Sequence, residues 1–249
     1  MKPLTEKDLT LFSNFTITSA DTDMFGRIRI GALVNLLIQS AIQSAEVLGF
    51  GFDGLKVQQL FWVLSRLSIE ITRPLTWNEK VVVETWPKTL EGLLYIRDFV
   101  VSDSSGQVVA RATSGWLAID AETKKPKIIE GLQADMFVFL KQKHALATAP
   151  EKLPATQEGD HFELRTSFFD IDLNKHVTST RYIDWMMDTF DAQFHRSHYA
   201  KQLSINFMKE TMLGDNILIV RESPNESHYN FEGTNSLQKS IAFRGKLVF

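Results

Sequence analysis

The chain has 249 residues, 44% hydrophobic and 23% charged, with a formal charge of −3. That composition suits one large or two small soluble domains able to bury a core, and its slight acidity gives no support to nucleic-acid binding, which usually needs a basic excess. The absence of cysteine excludes disulfides, thiolate metal sites and a cysteine nucleophile.

The opening "MKPLTEKDLTLF" lacks the apolar run of a signal peptide. "IGALVNLLIQSAI" is interrupted by Asn35 and Gln39 and is too short to span a bilayer. A cytoplasmic protein without a membrane partner is expected. Leu33, Leu36, Leu37, Ala41, Ala45 and Leu48 recur at helical spacing, which predicts one amphipathic helix over 30–48, closed by Gly49.

From Leu60 to Ile119, stretches such as "LFWVLSRLSIEIT", "KVVVETWP", "LLYIRDFVVSD" and "QVVARATSGWLAID" are rich in β-branched and aromatic residues. Turn signals at "PLTWNE" and "DSSGQ" separate them, predicting long antiparallel strands. Residues 131–160 read as a linker between units at 1–130 and 161–249, helped by "ATAPEKLPATQEGD". The pattern then restarts. Tyr182, Trp185, Met186, Thr189, Phe190 and Phe194 follow helical spacing, and four strand-like stretches complete the chain.

The restart is a repeat. "DTDMFGRIRIGALVNLL" (21–37) aligns without gaps on "DIDLNKHVTSTRYIDWM" (170–186), an offset of 149, and "LSIEITRPLTWNEKV" (67–81) aligns on "LSINFMKETMLGDNI" (203–217), an offset of 136. The 13-residue difference falls where the first half carries the extra "GFGFDGLKVQQ", a connecting loop or a pocket cap. A helix followed by antiparallel strands, made twice, predicts an α+β fold in which each sheet wraps its own helix and the two join edge to edge.

The "DIDLNKHV" stretch has two readings. Aspartate and asparagine form turns, and Thr178, Ser179 or Thr180 could cap the following helix. The repeat favours chemistry as well. Asn174 and His176 stand where the first copy has Phe25 and Arg27, and Glu210 stands where it has Pro74. Asp172, Asn174, His176 and Glu210 together supply two carboxylates, an imidazole and an amide, a set able to activate water. Backbone N–H groups of Val177 and Thr178, at the start of the helix, are candidate donors to a carbonyl oxygen.

"DIDLNKHVTSTRYIDWMMD" resembles the signature of the acyl-ACP thioesterases, and "FWVLSRLSIEITRPLTWNEKVVVETWP" and "LSINFMKETMLGD" resemble that family's two strand regions. The resemblance implies a tandem hotdog fold, with the acyl pocket mostly in the first unit and catalysis in the second. It implies hydrolysis of fatty acyl-ACP, with acyl carrier protein as partner and no cofactor or metal. The family's functional residues fall on Asp172, Asn174, His176 and Glu210. Thr211 occupies the position where many plant members have cysteine, so it is at most a polar neighbour. Rival readings are an acyl-CoA thioesterase, a 3-hydroxyacyl dehydratase and a non-catalytic acyl-thioester sensor. A monomer or homodimer is expected.

Other polar groups carry weaker expectations. His195 and His198 read as surface histidines rather than a metal pair. Lys124, Lys125, Lys127, Lys141 and Lys143 read as a solvated run that could also steer an acidic carrier. Trp62, Trp77 and Trp116 read as packing residues, one of them a candidate for the pocket wall.

Overall fold

A computed structural model describes residues 5–132, 140–156 and 158–249. A short helix α1 (Glu6–Leu9) and strand β1 (Leu11–Thr16) lead into the long helix α2 (Ile30–Val47). Then come α3 (Phe52–Val57), β2 (Leu60–Ile71), β3 (Lys80–Glu91), β4 (Leu94–Asp103), β5 (Val108–Asp120) and the two-residue β6 (Pro126–Lys127). The second half runs β7 (Asp160–Arg165), α4 (Ser179–Met187), α5 (Ala192–Ser197), β8 (Gln202–Phe207), β9 (Asn216–Asn225), β10 (His228–Asn235) and β11 (Ser240–Val248).

Among the described residues the strands form one antiparallel sheet in the order β1-β3-β4-β5-β2-β8-β11-β10-β9-β7, with β6 beside β5. The halves meet edge to edge where β2 pairs with β8, Arg66 opposite Asn206 and Glu70 opposite Gln202. The Ser68 and Ser204 hydroxyls, 3.1 Å apart, hydrogen-bond across that seam. Joining the two sheets there pairs an edge strand of each half, leaving neither open to a third chain.

Helix α2 forms because its apolar positions share a face. Leu33, Leu36, Leu37, Ser40, Ala41 and Ser44 are buried while Asn35, Gln39 and Gln43 are exposed. Its 18 residues and mean hydropathy of 1.3 would, by length and composition alone, suffice to cross a membrane, so it is longer than its most apolar stretch suggests. Half of it is buried inside the protein. Its first turn crosses α4 at Gly31, where an added Cβ would lie 2.4 Å from the Asp184 carboxylate. One core therefore runs through both halves, with Leu33, Leu37 and Ile69 joined to Ile183, Met186 and Leu203.

Two elements differ from expectation. The helical spacing from Tyr182 to Phe194 spans two helices, because α4 stops at Met187 and Asp191 starts α5 by accepting the Phe194 N–H at 2.7 Å. The extra "GFGFDGLKVQQ" contains the short helix α3, anchored by buried Leu55. Of the linker expected over 131–160, residues 133–139 and 157 lie outside the described residues. Its residues 140–156 contain no helix or strand and bind the sheet: Ala145 N–H donates to Asp98 at 2.8 Å and Leu153 N–H to Asn206 at 2.7 Å.

Candidate active site

The repeat is visible in atomic detail just ahead of each helix. In the second half, the Asp172 N–H donates to the His176 carbonyl at 2.8 Å, and the Lys175 N–H donates back to the Asp172 carbonyl at 3.0 Å. Asp172 Oδ1 accepts the N–H groups of Asn174 at 2.8 Å and His176 at 3.4 Å. The first half repeats this. Asp23 N–H donates to Arg27 at 2.7 Å, and Asp23 Oδ1 accepts from Phe25 and Arg27 at 2.8 and 3.0 Å. Gly26 and its counterpart Lys175 both have left-handed backbone, φ 75° and 67°. Glycine adopts that conformation freely, whereas for lysine it carries steric cost.

The side chains then diverge. In the first half Arg27 covers Asp23 Oδ2, with contacts of 2.9 and 3.0 Å, and also donates to the carbonyls of His195 and His198 across the halves. In the second half His176 replaces that arginine and turns to Glu210, Nε2 to Oε2 at 3.3 Å. Asp172 Oδ2 is left without a hydrogen bond among the described residues, on a half-exposed side chain. Asn174 is exposed on the same turn, and its side-chain amide makes no hydrogen bond among the described residues. Three of the four polar residues singled out from sequence thus share one turn, and the fourth, Glu210, reaches it through His176.

The two backbone donors expected for a carbonyl oxygen are not free. Val177 N–H donates to the Thr211 carbonyl at 2.8 Å, and Thr178 N–H to the Asp170 carbonyl at 2.9 Å. Both bonds belong to the repeated frame, since Ile28 N–H donates to Leu75 and Arg29 N–H to Asp21, each at 2.8 Å. This corrects the sequence expectation: an N–H held in the fold's own ladder has no proton left to offer a ligand. The Asn174 side-chain amide is a donor on the turn without a partner among the described residues.

Beneath the turn the support is built of buried polar groups. Asp170 Oδ2 accepts from the Ser167 N–H and hydroxyl at 2.7 and 2.9 Å, and its Oδ1 accepts from Arg181 at 2.7 Å. Burial would raise the Asp170 carboxyl, but these donors outweigh it and hold the group below the usual carboxylate range. Thr211, just after Glu210, is fully buried with no hydrogen bond of normal geometry to its hydroxyl. Burial pushes the phenol of Tyr182 up to about 12, with Thr211 its opposing polar neighbour.

The first half holds an apolar cavity that opens to solvent. Ala41, Ala45 and Leu48 of α2 and Trp62, Tyr95 and Trp116 of the sheet line it. Arg97 is the one cation in its wall among the described residues; it donates to Ser44 and Thr85 at 2.9 and 3.2 Å, and burial pulls its guanidinium down to about 10. Sequence reading had no signal for this arginine, which looks like any strand charge until the sheet curls. Trp77 is exposed and does not join the cavity. Among the described residues no cluster of metal-ligating side chains occurs, and His195 instead contacts the Met187 carbonyl at 3.0 Å.

Comparison with known proteins decides the family. A model of the acyl-ACP thioesterase N-terminal domain matches residues 8–134, and one of the C-terminal domain matches 153–244. The chain belongs to the acyl-ACP thioesterase family. A crystal structure of an acyl-ACP thioesterase from Bacteroides thetaiotaomicron superposes with a TM-score of 0.85 at 27% identity, covering 99% of this chain and 100% of that one. The 12:0-ACP thioesterase from Umbellularia californica shares the fold, with a TM-score of 0.82 at 20% identity over 96% of this chain and 93% of that one. The tandem hotdog fold is thereby shown. Oleoyl-acyl carrier protein thioesterase 2 from Arabidopsis thaliana is 26% identical over 93% of this chain and 68% of its own length. A palmitoyl-acyl carrier protein thioesterase from Gossypium hirsutum is 29% identical over 83% of this chain, which spans about half the length of that relative, 53%.

Proposed function

We propose that this acyl-ACP thioesterase family member hydrolyses the thioester of fatty acyl-ACP, with the free oxygen of Asp172 as general base. Family membership and the first-half cavity support the substrate class. One observation carries the site: in the second turn Asp172 Oδ2 lacks the arginine that covers its counterpart, and the histidine in that arginine's place pairs with Glu210. The acyl chain occupies the apolar cavity, and the Asn174 amide holds the thioester carbonyl. Asp172 takes a proton from water as its oxygen bonds to the carbonyl carbon. The C–S bond then breaks, and the proton passes to the leaving thiolate, giving fatty acid and holo carrier. His176, held by Glu210, positions the water.

The test is fatty acid release from C8 to C18 acyl-ACPs beside the matching acyl-CoAs. Turnover favouring the carrier forms upholds the reading, and the best chain length reports the pocket depth. Cleavage of acyl-CoA alone keeps the chemistry and overturns the partner. Tight binding without release overturns both.

A further inference from the structure

Beside the turn the surface carries a rim that the hydrolytic groups do not use. Phe168 and Phe169 form the 3-10 turn before Asp170, 74% and 91% exposed, their rings edge to face at 5.4 Å. Leu173, inside the catalytic turn, is 86% exposed. The fold does not require the two phenylalanines. The first half builds the same 3-10 turn with Ser19 and Ala20 in their places, inside a like capping box from Thr18 and Asp21. A pair of large apolar groups held in water, where small residues serve the fold equally, marks an interaction surface.

The rim also carries cations. Arg165, Lys175 and Lys209 are exposed and make no ion pair among the described residues; Arg165 donates to the Gly214 carbonyl at 3.4 Å. Hydrogen bonds from Gly214 N–H to the Thr166 carbonyl and from Val177 N–H to that of Thr211 bring the segments bearing these cations together. The acids on the same segments are Glu163, Asp170, Asp172, Glu210 and Asp215, of which Asp170 is paired with Arg181 and Asp215 is buried. Of the connector lysines, Lys127 is paired with Asp120 and Lys143 with Glu84 and Glu6, while Lys124, Lys125 and Lys141 are exposed and make no ion pair among the described residues.

Resting on the function proposed above, we propose that the acyl carrier protein docks on this rim, Phe168, Phe169 and Leu173 forming its apolar anchor. A carrier delivers its thioester on a single extended arm joined through a phosphodiester. Its docking face must lie within one arm's length of Asp172, and it brings negative charge to the mouth. A rim that flanks Asp172 on both sides and mixes apolar anchors with exposed cations meets both needs.

The test compares the wild type with the Phe168→Ala/Phe169→Ala double variant on three readouts: acyl-ACP turnover, turnover of an acyl-N-acetylcysteamine thioester, and direct binding of holo-ACP. We expect KM for acyl-ACP and Kd for holo-ACP to rise about tenfold, while the carrier-free thioester is cleaved at the wild-type rate and the thermal midpoint stays put. Arg165→Glu, on β7, should weaken holo-ACP binding and flatten its salt dependence. Equal loss on both substrates would place the phenylalanines in thioester handling and overturn the proposal. Unchanged holo-ACP affinity overturns it too, including the case where the variant turns a wild-type dimer into a monomer. Holo-ACP binding needs no turnover, so this result separates from failure of the proposed hydrolysis.

Discussion

The two turns, Asp23 to Arg27 and Asp172 to His176, share a backbone and differ in purpose. In both, one aspartate oxygen caps two amides and a left-handed residue closes the loop. The other oxygen separates them. Arg27 neutralises it in the first turn and fastens the turn to α5, whereas the second turn leaves it uncovered. A capping aspartate thus fixes a carboxylate on the turn, and without the arginine its second oxygen is left uncovered. In the proposed reaction, local structure and chemistry are carried by different oxygens of one side chain.

The sharpest way to break the comparison is Asp172→Asn. The amide keeps an acceptor oxygen for the capping bonds but cannot take a proton, so turnover should fall about 10²–10⁴-fold, with the denaturant midpoint close to wild type. A variant that retains full rate would remove Asp172 from the chemistry. Next in size is Leu37→Ala, in the core shared by the halves. It should cost about 2–5 kcal/mol in urea unfolding monitored by tryptophan fluorescence, and a single unfolding transition would show that the halves unfold together.

Arg27→Ala attacks the first turn alone. It should cost about 1–3 kcal/mol through lost charged hydrogen bonds, while kcat per folded molecule stays at the wild-type value. Lost activity without lost stability would mean that the first turn also takes part in chemistry. The smallest effect concerns acid. Ser105 and then Arg73 hold the Asp103 carboxyl at about 2, below its ordinary 3.8. A depressed carboxyl stabilises the fold above its unfolded value and loses that contribution as pH falls through the folded one. Between about pH 4 and 2, Asp103→Asn should therefore show a weaker acid dependence of unfolding than the wild type.

Much of this was legible in the chain. The stripe Leu33, Leu36, Leu37, Ala41 specified α2 because 3.6-residue periodicity survives folding unchanged. The gapless match of 21–37 to 170–186 located the second turn, and comparison of Arg27 with His176 singled out where the side chains of the two turns part. The break at Thr189 was not legible, because the apolar spacing continues across it while the Asp191 cap restarts the helix.

By itself, then, the sequence determined the elements, the duplication and the identity of the polar set, since these depend on periodicity and on differences between aligned copies. Only the tertiary structure decided how each group is used. It consumed the Val177 and Thr178 N–H groups in bonds to Thr211 and Asp170. It brought Glu210 to His176 across 34 residues of chain. It also turned Arg97 into a cavity and Phe168 and Phe169 out to water. The physical reason is common to all three. A hydrogen-bonding or apolar group can be spent only once, and which partner receives it depends on what the fold brings within reach.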